Sequence, residues 1–392
     1  MHADVAGRGG LPESAEAVVV GGGIMGASIA HHLAEAGVTD VVVVERDRVA
    51  SGSSGKPVGG VRAQFSDPVN VALGARSLEA FARLRETTGA DISMERVGYL
   101  FLLRDPEDVP RFERNVALQN ELGVPTRMVS AAEARRLCPY ATGEGILGAA
   151  FSPDDGHARP AEAAWGFLRT AASRGVRLFE NTAVLDITTT GAGDIRGVVT
   201  DRGTVRTSAV IVAAGAWSKQ VGAMAGVDLP VEPLRRQIAI TRPLSPTPPR
   251  VPFTIDFTTS MYFHNHEDGL LLGMSDPAQE YGFVTDYSGE WLAGFDDAAR
   301  VCAPDLVGLP VDHGWAGLYE MTPDCNALVG RSRSVDGLLY ATGFSGHGFL
   351  QAPAVGEVIR DLYLGVPPFV DVASLSVERF DTSPLRREFN VV

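Results

Sequence analysis

The run Val18-Val19-Val20-Gly21-Gly22-Gly23-Ile24-Met25-Gly26 has the residue types and spacing that hold a dinucleotide, and Glu45 stands where its sugar would lie. An apolar strand pattern enters a glycine turn, a helical pattern follows, and a second apolar run, Val41 to Val44, ends in Glu45. Gly21 suits the tight turn, Gly23 lets backbone approach a pyrophosphate, and Gly26 allows helix and strand to pack closely. The free N–H groups and partial positive charge at the helix start favour phosphate, while the acid accepts a hydrogen bond from a ribose hydroxyl. A second block, Leu339-Tyr340-Ala341-Thr342-Gly343-Phe344-Ser345-Gly346-His347-Gly348-Phe349, again leads a strand through a glycine turn into a helix. Such a tip can stabilise the negative charge of a reduced flavin. NAD needs no second anion site, so the two blocks together favour FAD. Gly143-x-Gly145-x-x-Gly148 matches the glycine pattern formally but follows a Pro-Tyr loop and runs into Ala149 to Pro153, which reads as a turn before a strand.

These blocks need elements around them. Apolar spacing predicts a helix over 24–36 stopped by Gly37, a Gly/Ser-rich loop over 51–60, and a helix over 68–88. A strand follows at 97–104, then helices near 107–122 and 130–137 and another over 160–173. Strands are expected at 176–179, 183–188, 198–200 and 210–214, with mixed strands over 231–275 broken by prolines at 243–252. A helix over 288–300, a strand at 338–341 and a helix over 349–364 complete the pattern. Rossmann-like pieces therefore occur early, midway and late, which predicts a mixed α/β (α+β) fold: a discontinuous Rossmann-like FAD-binding domain with a second, sheet-rich substrate domain. The expected division is a loose leader over 1–14, the FAD-binding domain over 15–90, 152–225 and 322–392, and the substrate domain over 91–151 and 226–321.

The chain has 392 residues, is 45% hydrophobic and carries a net charge of −14. That acidity argues against nucleic acid or an anionic membrane as partner, and no apolar run reaches membrane-spanning length. Cys138, Cys302 and Cys325 are too few and scattered for a disulfide framework or a metal site, so a reducing cytoplasm is the expected compartment and no metal is expected. His264 and His266 flank Asn265 before a turn and read as surface residues; His31 and His32, inside the first helix, read as structural.

GGGIMGASIAHHLAEAG with VVVVERD, SGSSGKPVGGVRAQFS, VIVAAGAWS, GLYEMTPDCNALVG and LYATGFSGHGFLQAPAVGE occur in this order over nearly the whole chain. In these segments the chain resembles the FAD-dependent D-amino-acid oxidase superfamily, nearest its sarcosine oxidase, glycine oxidase, dimethylglycine dehydrogenase and dye-linked proline dehydrogenase branch. The resemblance implies oxidation of a carbon–nitrogen bond beside a carboxylate, with hydride passing to flavin N5 and the imine hydrolysing afterwards. It implies that Gly21, Gly23, Gly26, Glu45 and Arg46 hold the adenosine and pyrophosphate, and that Ser53 and Ser54 lie near the ribityl and phosphate groups. It further implies that Val184 meets the adenine, that Ala214, Gly215 and Trp217 line the cofactor, and that Gly343, Gly346, His347, Gly348 and Phe349 cover the flavin. Arg62 is the expected clamp on the substrate carboxylate, Tyr319 a residue that bonds substrate or shapes the pocket, and His347 a residue of the flavin turn. Glu320 reads either as a site for an ammonium group or as a paired strand charge.

Departures from these relatives sharpen the expectation. The cysteine that carries flavin in monomeric sarcosine oxidases is Gly317 here, and the loop that carries a histidine in dimethylglycine dehydrogenases holds Lys56, so FAD is expected to be non-covalent. Gly269 to Gly273 has no counterpart of the lysine that speeds reaction with oxygen, and Lys56 and Lys219 are the only lysines. This tilts the expectation towards a dehydrogenase or a slow oxidase, with oxygen or an unidentified carrier as acceptor. Leu350 and Tyr319 replace further substrate-binding cations, so the substrate, a small amine or amino acid, is not expected to be sarcosine itself. Oxidation of a 2-hydroxy acid, or a subunit or assembly factor that binds FAD without turnover, are the alternatives. A homo-oligomer or a partner subunit stays open.

Overall fold

The computed structural model describes residues 9–56, 58–191, 193–381 and 385–391. Strand β1 (Ala17–Val20), helix α1 (Ile24–Glu35) and strand β2 (Val41–Val44) form the first unit, within about a residue of the boundaries expected from the sequence. All residues of β1 and β2 are buried, as befits strands covered on both faces, which read as unbroken apolar runs rather than alternating ones. The two strands lie inside a six-stranded sheet. Its order is Leu328–Arg331, Leu338–Thr342, Val210–Val212, β1, β2, Arg177–Phe179. The pairs are parallel except at the Leu328–Arg331 edge. Segments far apart in sequence are therefore neighbours in one sheet, and the two glycine turns leave the C-terminal ends of parallel strands, on the same end of the sheet.

Helix α1 packs against the helices Pro160–Ser173 and Gly348–Leu364. The contact is close: the Ser28 hydroxyl donates to the Ala352 carbonyl at 2.8 Å. His31 and His32 are buried beside Phe167 with ring centroids 5.0 and 6.1 Å away, and with Glu35 their ligand atoms lie within 4.8 Å of one another.

The eight-stranded sheet is drawn from other parts of the chain. Its order is Val311–Met321, Glu232–Thr241, Gly269–Gly273, Met261–His266, Phe253–Asp256, Tyr99–Leu103, Gly148–Ser152, Arg127–Val129. A three-stranded sheet of Gly203–Arg206, Ile195–Thr200 and Val184–Thr189 and a short pair, Gly60–Val61 with Gly156–His157, complete the strands. Among the described residues no helix is long and apolar enough to cross a membrane.

Three local expectations change. The helix expected over 68–88 is two, Pro68–Ala82 and Leu84–Thr88, because Arg83 between them leaves helical geometry. Its start is well specified: Asp67 accepts the Val69 N–H and Pro68 fills the first turn. Strand Val311–Met321, unread in the sequence, pairs along almost its whole length with Glu232–Thr241. Its burial does not alternate, so the period-two signal is absent. Of the stretch 1–14, residues 1–8 lie outside the described residues. Glu13 and Ser14 do not dangle: the Glu13 carbonyl accepts the Arg206 N–H, and Ser14 bridges Arg206.

Candidate functional site

One cavity of about 370 Å³ runs between the two glycine turns. Its first end is built by the β1–α1 turn. Gly21 has φ +117°, in the left-handed region, and a Cβ there would stand 2.2 Å from the Ala213 carbonyl oxygen. Gly26 lies behind the cavity wall rather than on it, with its Cα against the Gly21 carbonyl. Glu45 faces the cavity with both oxygens engaged, accepting the Gly22 N–H at 2.8 Å and the Asp47 N–H at 2.9 Å. These bonds fix the carboxylate while each oxygen keeps a second lone pair for a hydroxyl. Burial raises its pKa, and the two backbone bonds oppose that shift.

The loop after β2 folds over the same end. Ser54 Oγ accepts the Ile24 N–H at 2.9 Å, occupying one of the donors at the start of α1. The Ser53 hydroxyl donates to the Leu318 carbonyl at 2.6 Å and ties this loop to the other sheet. Arg46 lies over the Trp217 ring, 4.2 Å from its centroid, and Phe283 stacks on Trp217 at 5.3 Å. Gly23, Val184, Ala214 and Gly215 complete this wall.

The other end belongs to the second glycine turn. Gly346, His347, Gly348 and Phe349 line the cavity, whereas Gly343 does not. Gly343 packs on Thr322 and gives its N–H to Glu320 Oε2 at 3.1 Å. Glu320 Oε2 also accepts the Thr342 hydroxyl at 2.8 Å. Among the described residues no cation pairs with Glu320, so the paired-charge reading does not hold, and the carboxylate acts as the acceptor that fixes the turn. Burial raises its pKa. The Tyr319 ring lies against the Gly346 backbone.

Arg62 reaches this end of the cavity and is almost wholly buried. Its guanidinium is not the open fork expected. Nη1 donates to the Gln64 carbonyl, and Nη2 donates to the Asn390 carbonyl and to His347 Nε2, the last at 3.0 Å. The Phe65 ring stands 4.4 Å away. An arginine only donates, so Nε2 of His347 accepts and its proton sits on Nδ1. Burial first, and the Arg62 charge second, push the His347 pKa well below its usual value. His347 is thus a neutral partner of Arg62.

Among the cavity residues that sequence reasoning missed are Lys56, Tyr99, Arg236 and Tyr262. Lys56 stands beside Gly317, and Tyr99 and Tyr262 are buried in the eight-stranded sheet. The paired arginines Arg235-Arg236, just before the run Ile238-Ala239-Ile240, were the signal for Arg236. His264, expected at the surface, is buried; its ring nitrogens lie 2.7 Å and 3.1 Å from the Asn265 and Val58 carbonyls, and it stacks on His157.

The residues present fit FAD. Backbone stands where side chains would obstruct the turn, the wall offers a fixed acid at one end and a glycine-rich helix tip at the other, and one continuous space joins them.

Burial also sets how the protein responds to acid. His31, His32 and His157 are lowered to about 4, chiefly by burial. Between the ordinary histidine value of 6.5 and about 4 the unfolded chain binds protons that the fold refuses, so stability falls as pH falls through this window. Asp155, raised by burial to about 7, acts oppositely, because the fold keeps a proton that the unfolded chain loses above 3.8. Glu45, Asp67, Asp108 and Glu320, also raised by burial, act with Asp155, while His264, His266 and His347 act with the other lowered histidines, so six histidines stand against five carboxylates. Thermal unfolding is expected to shift steadily downward from pH 6.5 to 5, and a flat or rising profile would contradict three buried neutral histidines.

Residues 16–362 match the FAD dependent oxidoreductase (DAO) family, and the chain belongs to it. It is 31% identical over 391 residues to the 4-methylaminobutanoate oxidase (formaldehyde-forming) of Paenarthrobacter nicotinovorans, covering 97% of this chain and 47% of that protein. It is 31% identical over 375 residues to the glycine oxidase of Bacillus licheniformis, covering 90% of this chain and 94% of that one. The crystal structure of L-proline dehydrogenase from P. horikoshii superposes with a TM-score of 0.89 at 35% identity, covering 96% of this chain and 100% of the other. The chain spans about half the length of the first curated relatives it matches. The protein is therefore an FAD-dependent oxidoreductase by family.

Proposed function

We propose that this protein oxidises the carbon–nitrogen bond of an amino acid or N-substituted amino acid, with non-covalently bound FAD. We also propose the two-domain division set out above, with the cofactor between the sheets. The observation that carries the reading is a single cavity with a dinucleotide turn at one end and a cationic, aromatic end around Arg62, Arg236 and Tyr319 at the other. When bound, FAD supplies the acceptor for the hydride leaving the substrate carbon. The chain's own residues position the substrate: a guanidinium of the cationic end holds a carboxylate, and Tyr99, Phe253, Tyr262 and Tyr319 give a water-poor wall. His347 contributes orientation of Arg62, because its Nε2 lone pair is already used. The names of the relatives, which include 4-methylaminobutanoate, glycine and L-proline enzymes, support an amine bearing a carboxylate.

The test is anaerobic loss of the oxidised-flavin absorbance across amino acids, N-methyl amino acids and 2-hydroxy acids. Bleaching by amines with release of ammonia or an alkylamine supports the reading. Bleaching only by hydroxy acids, or by nothing, overturns it. Acid precipitation of the holoenzyme is expected to leave the yellow chromophore in the supernatant, since Gly317 offers no side chain for a covalent link; colour in the pellet would contradict this. The buried strand Gly269–Gly273 carries no cation, but Lys56 lines the cavity beside Gly317; reoxidation in air, slow if Lys56 does not serve the flavin and fast if it does, is the measurement that decides.

A further inference from the structure

Arg236 lies in the middle of strand Glu232–Thr241, opposite Gly317, with its guanidinium carbon 5.2 Å from the centroid of the Tyr319 ring. It lines the cavity. Its Nε is buried and has no hydrogen-bond partner. Nη1 donates to the Arg235 carbonyl at 3.2 Å, and among the described residues no carboxylate pairs with the group. Elsewhere this fold pairs a half-buried guanidinium: Arg104 grips the buried Asp256 through Nε and Nη2 at 2.9 and 2.8 Å. Arginine cannot shed its charge, and a buried donor left unmade is destabilising. With Nη1 turned back to the strand, the Nε/Nη2 edge remains, and that edge matches the two oxygens of a carboxylate. Arg62 has no comparable opening, because Gln64, Asn390 and His347 take its terminal nitrogens.

We propose that Arg236 is the anchor for the substrate carboxylate, with Tyr319 and Tyr262 flanking it, and that Arg62 is a fixed wall of the same site. This rests on the reading of the substrate as an amine bearing a carboxylate. Both guanidinium charges act on the Tyr319 hydroxyl and oppose the upward shift that burial imposes on it, which places that hydroxyl within reach of either field.

The experiment titrates the FAD-loaded protein with benzoate, and with benzamide as its neutral isostere, following the change in flavin absorbance. Arg236→Met is expected to weaken benzoate about 10- to 100-fold, the range for losing a charge-assisted pair. Benzamide should be unchanged, and Arg236→Lys should restore part of the loss. Equal benzoate affinity in wild type and variant overturns the proposal, as does an equal loss for both ligands or a wild-type protein that distinguishes neither. If Arg236→Met fails to retain FAD, Arg236→Lys decides: a benzoate-selective loss supports the anchor, and wild-type affinity overturns it. The titration needs no turnover, so its failure leaves amine oxidation standing, and a flavin bleached by no amine would remove that reading without touching the anion site.

Discussion

Gly26→Ala is expected to yield a folded protein almost devoid of FAD. A Cβ at position 26 would stand 1.9 Å from the Gly21 carbonyl oxygen and 3.3 Å from Val19 Cγ1. The first obstacle is backbone, which no rotamer change can move aside. Relief requires α1 to move away from β1, and over-packing of this kind destabilises by roughly 1–3 kcal/mol or more. The same movement drags the Gly21–Gly23 turn, whose own conformation is constrained by Gly21 at φ +117° against Ala213. The turn would lose its approach to the pyrophosphate before the six-stranded sheet lost its core. The measurement is flavin content per chain beside a far-ultraviolet circular dichroism spectrum. Stoichiometric yellow colour in Gly26→Ala would mean that the helix is not held at this point.

Glu320→Ala should loosen the other tip. Glu320 accepts the Thr342 hydroxyl and the Gly343 N–H through one oxygen, and its own carbonyl accepts the Ser345 N–H. Thr342 in turn reaches Ser218 Oγ at 2.7 Å, so the carboxylate joins the second glycine turn to the segment after Val210–Val212. Removing it leaves a backbone donor and a hydroxyl without their acceptor, with an expected loss of about 2–4 kcal/mol for the two together. Glu320→Gln keeps one acceptor oxygen and should lose less. Thermal unfolding of the holoenzyme and the FAD dissociation constant report the effect. An alanine variant as stable and as tightly loaded as wild type would show that the turn holds itself.

Most of the lining of the cavity at the two glycine turns was legible because its signal is local. A valine run, three glycines and a terminal acid are contiguous or separated by one helix, so the motif could be read even though Gly21 is also held by the Ala213 carbonyl at the end of a distant strand. The decoy at Gly143 to Gly148 was also legible, since the residues after it form the strand Gly148–Ser152 rather than a helix. The substrate half was not. Arg62 stood in a motif, yet its donors are taken by Asn390, more than three hundred residues away, and by His347. Arg236 stood in no motif, and its exposure to the cavity depends on a register that places it opposite Gly317.

The sequence by itself determined the fold class, the identity of the cofactor and the residues of both glycine turns, because hydrophobic period and glycine chemistry act over a few residues. Tertiary structure alone decided which cations remain available to a ligand. Whether a guanidinium is spent or free depends on carbonyls, carboxylates and rings brought to it by distant strands, and one-dimensional order does not record those distances.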